Sequence, residues 1–244
     1  MSPGLVLVVP CYNEEARLPQ GSLEEWAGRR PDWTWVLVDD GSQDRTRSIL
    51  EQLASRHANI HCHVLSRNSG KAEAVRQGML FARHQFGSQW LGYLDADFAT
   101  PAHEVERIYD LYRDQRYKLV LGCRLQRLGA RITRKSLRHY VGRFAATLIS
   151  VTLRLPTYDT QCGAKLIRTE LVDTAFSVPF GSRWLFDVEL LARCRNAMGR
   201  QRFRLAAIEE PLLEWADVEG SRLNIRDFLR IPSELWALHR RYNR

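Results

Sequence analysis

The apolar positions of this chain fall into short runs, separated by stretches in which apolar residues recur with helical spacing. Leu5 to Val9 is unbroken; Thr34 to Val38, Ile60 to Leu65 (interrupted by His61 and His63), Trp90 to Leu94 and Leu119 to Cys123 are the other candidate strands. Continuous apolar segments of this length read as parallel strands buried on both faces. Leu23 and Trp26, then Ile49, Leu50 and Leu53, then Ala74, Val75, Met79 and Phe81 mark helices between them. Ser22 is placed to cap the first of these, with Glu25 in the capping-box position. Asn68-Ser69-Gly70 is a turn signal, so the third helix is expected from Lys71 to Gln85, and a fourth from Pro101 to Arg113. Strands alternating with helices at this spacing predict an α/β fold: a Rossmann-like, doubly wound, mostly parallel sheet.

In such sheets ligands bind outside the carboxyl ends of the strands. Three of these strand ends, the first, second and fourth, carry acids or an aromatic: Tyr12 and Glu14, Asp39 and Asp40, Asp95 and Asp97. Residues i and i+2 of extended backbone point the same way, so Asp95 and Asp97 are expected to reach toward one point. Like charges that close repel unless a cation lies between them. Hard carboxylate oxygens suit Mg²⁺ or Mn²⁺, completed by substrate phosphates. The plainer alternative is a strand-to-helix turn in which Asp97 caps the next helix. The first turn lacks G-x-G-x-x-G, and Gly70-Lys71-Ala72 lacks the spacing and hydroxyl of a P-loop. An acidic site of this kind binds phosphates through a metal.

The second half is less regular. Tyr158 to Ile167 moves from a polar turn into a strand, and the stretch from Ser182 begins a helix whose first turns hold Trp184, Phe186, Asp187 and Glu189. A strand is expected from Phe203 to Ile208, leading through Pro211 to Glu214-Trp215, and a closing helix from Asn224 to Arg240. Phe144, Leu148, Val151 and Leu155 lie on one helical face behind a basic approach. That pattern fits an interfacial membrane helix and equally a core helix behind a solvated loop.

Length and charge sharpen the reading. At 244 residues, without repeats or low-complexity tracts, the chain fits one domain. Residues 1–124 form a half that carries the acidic strand ends, and 125–244 a half with a basic amphipathic segment at 131–155. Between Asp114 and Asp159 there is no acid but ten basic residues: Arg116, Lys118, Arg124, Arg127, Arg131, Arg134, Lys135, Arg138, Arg143 and Arg154. The whole chain carries +8, so its basicity is local to this window. The block implies an anionic partner, either phosphates or an anionic membrane surface. Nucleic acid is not expected, because the aromatic-interleaved basic pattern is missing and three acidic strand ends would be left unexplained. Five widely spaced cysteines without a C-x-x-C pair argue for a reducing compartment, and no signal peptide or membrane span is evident. The expected location is cytoplasmic, peripheral on the cytoplasmic face of a membrane.

The runs VVPCYNEEARLP, VDDGSQDRT, NSGKAEAVRQGM and YLDADFATP together resemble glycosyltransferase family 2 with the GT-A fold. GCR, DTQCGAKLI, RWLFDVELL and WADVEGSRL resemble its dolichyl- or polyprenyl-phosphate glucosyltransferases more than the mannosyl enzymes. The resemblance implies that Pro10, Tyr12, Glu14, Asp39, Asp40, Lys71, Asp95, Ala96 and Asp97 bind the nucleotide sugar, with Asp40 beside the uracil. It implies a Mg²⁺ or Mn²⁺ ion on Asp95 and Asp97, and a catalytic set of Asp95, Asp97, Arg124 and Asp159. Arg131, Arg134, Gln161, Trp184 and Asp187 would bind the acceptor, which makes 1–124 the nucleotide-binding half and 125–244 the acceptor half. Ala99 stands where the mannosyl relatives carry Gln, and Ala164 where the glucosyl pattern has Phe. The activity implied is inverting transfer of glucose from UDP-glucose to a dolichyl or polyprenyl monophosphate. Mannosyl transfer from GDP-mannose, and transfer to a saccharide hydroxyl with Asp159 or Asp187 as base, are the alternatives.

Overall fold

A computed structural model of the protein describes residues 3–133, 150, 156–218 and 225–242, the side chains of 225–230 excepted. The chain divides into two compact units. Unit 1 holds Met1–Phe98 and Gly163–Pro179; unit 2 holds Ala99–Cys162 and Phe180–Arg244.

Unit 1 is built on β1 (Leu5–Cys11), β2 (Trp33–Asp39), β3 (Ile60–Val64), β4 (Trp90–Leu94) and, after the return of the chain, a late strand at Ala164–Arg168. Its strands lie in the order β3-β2-β1-β4 and then the late strand. The first four are parallel; the late strand runs antiparallel to β4, with Tyr93 opposite Lys165 and Leu94 opposite Ala164. Leu5 through Val9, Trp35 through Val38 and Trp90 through Leu94 are buried, as two-faced burial of continuous runs requires. Each such Leu or Val contributes about 1.5–3 kcal/mol of transfer free energy. The crossovers are α1 (Gln20–Arg29), α2 (Thr46–Arg56) and α3 (Lys71–Gln85). Gly78 of α3 lies so close to β1 and β2 that a Cβ there would sit 2.5 Å from Val8 and 2.7 Å from Val38, which sets how closely the helix packs on the sheet.

Unit 2 contains α4 (Ala102–Tyr112), β5 (Leu119–Cys123) and a short strand β6 (Arg131–Thr133). Counting the late strand of unit 1 as β7, β8 (Ala207–Pro211) pairs in parallel with β5, and β9 (Glu214–Ala216) with β6. After a short helix in unit 1, α5 (Val172–Phe176), unit 2 continues with α6 (Phe186–Met198), α7 (Arg200–Ala206) and α8 (Ile225–Tyr242). The fully buried Glu189 of α6 accepts from Tyr242 of α8 at 2.7 Å and from Arg193 at 2.9 Å, which ties the two helices together.

Three sequence expectations are corrected. Ser22 does not cap α1: that helix starts at Gln20, behind Pro19, with no side-chain cap, so Ser22 lies inside it. Phe203 to Ile208 is not one strand. The chain turns at Gly199 (φ 80°) into α7, whose Phe203 and Ala206 are buried three residues apart, and β8 begins only at Ala207. The extended geometry expected for Asp95 and Asp97 also fails, because β4 ends at Leu94 and the N–H of Phe98 donates to Asp95 O at 3.1 Å, closing a turn. The expected amphipathic helix from Phe144 to Leu155 lies outside the described residues, apart from Ser150, which is helical.

Candidate active site

The parallel register sets Cys11 opposite Asp39, and Leu5 and Val8 of β1 opposite Trp90 and Tyr93 of β4. The loops after β1, β2 and β4 therefore leave the sheet at one edge, and with them Tyr12 and Glu14, Asp39 and Asp40, Asp95 and Asp97. The acids expected to gather on one rim of the sheet do so.

These loops are stitched to one another. Asn13 N–H donates to Ser42 Oγ at 3.0 Å, Glu14 N–H to Thr46 Oγ1 at 2.7 Å, and Gln43 N–H to Asn13 Oδ1 at 2.8 Å. Asp39 accepts from the Ser42 N–H at 3.1 Å. Asp40, 2 % exposed, accepts from the N–H groups of Ser69 at 2.8 Å and Gly70 at 2.7 Å and from Asn68 Nδ2 at 3.2 Å. Its carboxylate thus holds the turn that opens α3. Glu14 is buried and pairs with Arg17 at 2.7 Å, while Pro10 and Tyr12 are half-buried. Burial, then the Glu14 and Asp39 carboxylates, push the Cys11 thiol well up, so it is no nucleophile.

Asp95 is seated on Gly163. Its N–H donates to Gly163 O at 3.2 Å, and a Cβ at Gly163 would lie 2.2 Å from Asp95 Cγ. Lys71, the first residue of α3, brings its ammonium within 2.5 Å of Asp95 Oδ1. Ala96 is buried and Asp97 half-buried in the turn that follows. Asn13 (φ 49°) and Phe98 (φ 48°) are the non-glycine residues with left-handed backbone among those described, and both sit in loops at this edge. For Phe98 that conformation is strained, and such strain concentrates at functional sites. The N-cap residue of α4 is Pro101, so Asp97 is not in the capping position.

Among the described residues no three His, Cys, Asp or Glu side chains cluster as a metal cage. The donor set fits a different arrangement: two partly accessible carboxylates in one turn, with a cation already drawn to Asp95. That suits an ion such as Mg²⁺ or Mn²⁺, which takes one or two carboxylates and leaves its other positions to phosphate and water.

Within unit 2, Arg124 and Asp159 hold each other. Nε donates to Oδ2 and Nη2 to Oδ1, both at 2.7 Å, and the Arg124 N–H adds a third bond at 3.0 Å. The guanidinium lies 5.3 Å from the Trp215 ring centre, and Glu209 accepts from the N–H groups of Tyr158 and Asp159. Gln161 donates its N–H to Asp159 at 3.3 Å, while its Nε2 is buried without a hydrogen-bond partner among the described residues. Arg131 is exposed on β6 and pairs with Glu214 at 3.0 Å. Trp184 is half-buried ahead of α6, and Asp187 is buried in its first turn. Arg134 lies outside the described residues.

Sequence reasoning did not single out Gly163, Phe98, Glu209 or Trp215 as parts of a site. Gly163 stood inside a motif, but a glycine there carries no sign of the carboxylate above it.

The profile of glycosyl transferase family 2 matches residues 6–176. The chain belongs to glycosyl transferase family 2. This family 2 enzyme is 31% identical over 241 residues to the dolichyl-phosphate beta-glucosyltransferase ALG5D of Trichomonas vaginalis, covering 93% of this chain and 70% of that protein. It is also 31% identical over 258 residues to the human dolichyl-phosphate beta-glucosyltransferase, covering 98% of this chain and 75% of the human one. Among solved structures, glucosyl-3-phosphoglycerate synthase from Mycobacterium tuberculosis, in complex with Mn²⁺, UDP-glucose and phosphoglyceric acid, superposes with a TM-score of 0.69. The identity is 15%, over 97% of this chain and 78% of that one, so this likeness is one of fold. The fold of the family 2 glycosyltransferase is GT-A, α/β with a mostly parallel sheet. Among the described residues no helix is long and apolar enough to cross a membrane.

Proposed function

We propose that this family 2 enzyme transfers glucose from UDP-glucose to a dolichyl or polyprenyl monophosphate, with inversion at the anomeric carbon. The observation that carries the donor half is the convergence of Glu14, Asp39, Asp40, Asp95 and Asp97 at one sheet edge, with Lys71 on Asp95. The relatives' names supply the acceptor class and the sugar.

In this reading Pro10 and Tyr12 contact the nucleoside. Asp39 and Asp40 hold the loops around it, Asp40 by fixing the turn ahead of Lys71. Asp95 and Asp97 would hold a Mg²⁺ or Mn²⁺ ion, which supplies Lewis-acid neutralisation of the charge building on the departing UDP. The Lys71 ammonium adds a point charge suited to diphosphate oxygens. A phosphate monoester has its second pKa at about 6 and so arrives ionised, needing no strong base. Asp159 fits a base poorly, since both its oxygens accept from Arg124; it acts instead by orienting that guanidinium. The buried Gln161 Nε2 favours a ligand oxygen nearby, because an unmet buried donor costs about 1–3 kcal/mol. Arg131 and Arg134 are the candidates for the acceptor phosphate, and the basic window draws the enzyme peripherally to an anionic membrane face.

The test offers radiolabelled UDP-glucose and GDP-mannose in parallel, each with a short polyprenyl phosphate and Mg²⁺ or Mn²⁺. Organic-phase label from UDP-glucose alone supports the reading. Label from GDP-mannose, or label appearing only in a water-soluble saccharide, overturns it.

A further inference from the structure

Lys71 occupies a position that its own helix does not favour. A cation on the first residue of α3 faces the positive end of the helix dipole. Its contact with Asp95 offsets that, and both partners are set in place from outside the pair. On one side, Asp40 pins Asn68, Ser69 and Gly70, and Gly70 adopts φ 90° to turn the chain into the helix. The same loop packs on Gly41, where a Cβ would lie 2.6 Å from the Arg67 carbonyl carbon. On the other side, Gly163 leaves the space that the Asp95 carboxylate fills. The two charges are thus brought together at 2.5 Å by backbone that cannot easily shift.

The pair is nevertheless only part-buried: the Lys71 and Asp95 side chains are 44% and 31% exposed, while the contacted Oδ1 itself is covered. Ion pairs so exposed are weak and exchangeable. Asp95 Oδ1, the oxygen that Lys71 approaches, belongs to the carboxylate best suited to a divalent ion. One oxygen cannot serve an ammonium and a divalent ion at full strength together.

We propose that Lys71 is the resident counter-cation of Asp95, that it competes with the divalent ion for this carboxylate, and that a nucleoside diphosphate admits the ion by drawing the ammonium onto its own oxygens. This rests on the metal–diphosphate reading above and adds an order to it: the empty enzyme holds the ion weakly, and nucleotide and ion bind cooperatively. The coupling is reciprocal, so the ion tightens nucleotide binding by the same factor. A flexible ammonium with three donors is suited to such a transfer from carboxylate to phosphate.

The test measures Mn²⁺ uptake through loss of the electron paramagnetic resonance signal of the free ion, with and without UDP, and requires no turnover. Without UDP, Lys71→Met is expected to bind Mn²⁺ about two- to fivefold more tightly than the wild type, the range a part-exposed ion pair spans. UDP should tighten Mn²⁺ binding less in the variant than in the wild type. Lys71→Gln serves as the second neutral variant should Lys71→Met fold poorly. Asp95→Asn should abolish the gain in either background. Equal or weaker Mn²⁺ binding by the neutral variants, or a gain that survives Asp95→Asn, overturns the inference while leaving the metal reading intact. A wild type that takes up no Mn²⁺ even with UDP overturns the metal reading, and this inference with it.

Discussion

Gly163 and Asp95 face each other across the antiparallel pairing of β4 and β7 so closely that a Cβ on Gly163 would fall 2.2 Å from the Asp95 carboxyl carbon and 2.6 Å from its Oδ1. No side chain fits there without moving Asp95 off its seat. Gly163→Ala is therefore expected to lower kcat/KM by about 10²-fold, as a misplacement near 1 Å does. Far-UV circular dichroism should stay unchanged. Steady-state assay of the purified variant checks this, and full activity would show that the Asp95 position is not critical.

Arg124 and Asp159 make a second such pair, almost enclosed, with the Asp159 side chain 9% exposed. Asp159→Asn leaves the guanidinium facing a neutral amide, and about 3 kcal/mol of unfolding free energy should be lost, as when a buried pair is broken. Urea unfolding measures it. A catalytic base would behave differently, losing activity at unchanged stability.

The parts of the fold legible in the sequence were those governed by burial alone. Leu5–Val9 and Trp90–Leu94 are apolar throughout because both faces of each strand are covered, and α3 began at Lys71 because Gly70 can adopt φ 90°. Phe203 to Ile208 misled because an aromatic and aliphatic run of that length fits either period, and the deciding event, the left-handed turn at Gly199, lies four residues upstream. The rim of acids could be foreseen from strand ends. Their local geometry could not: the Asp95–Phe98 turn depends on one backbone hydrogen bond, and the Arg124–Asp159 contact joins residues 35 positions apart.

His61 and His63 on β3 stack against Phe86 and Phe81, and burial pushes both imidazoles below their ordinary 6.5. A lowered folded-state value means that the unfolded chain binds more protons as pH falls through 6.5. Stability is then complete above that pH and declines below it until the folded-state values are passed. Urea midpoints at about pH 7.5 and 5.5 should differ more in the wild type than in the His61→Gln, His63→Gln double variant. An equal acid loss in both would contradict the assignment.

The Glu189 centre makes a graded prediction. Tyr242→Phe removes one donor at 2.7 Å and should cost about 1 kcal/mol. Glu189→Ala strands the Arg193 guanidinium inside the unit and should cost about 3–5 kcal/mol. Denaturant unfolding of both variants would reveal any reversal of that order.

The central claim is that Asp95 and Asp97 carry the donor diphosphate through a divalent ion. Its most direct test is the rate of glucose transfer from UDP-glucose to polyprenyl phosphate by the Asp95→Ala, Asp97→Ala double variant at saturating Mg²⁺. The account predicts a rate at or below about 10⁻³ of wild type, scaled to the loss of one strong electrostatic stabiliser. Undiminished turnover by a folded double variant would contradict it.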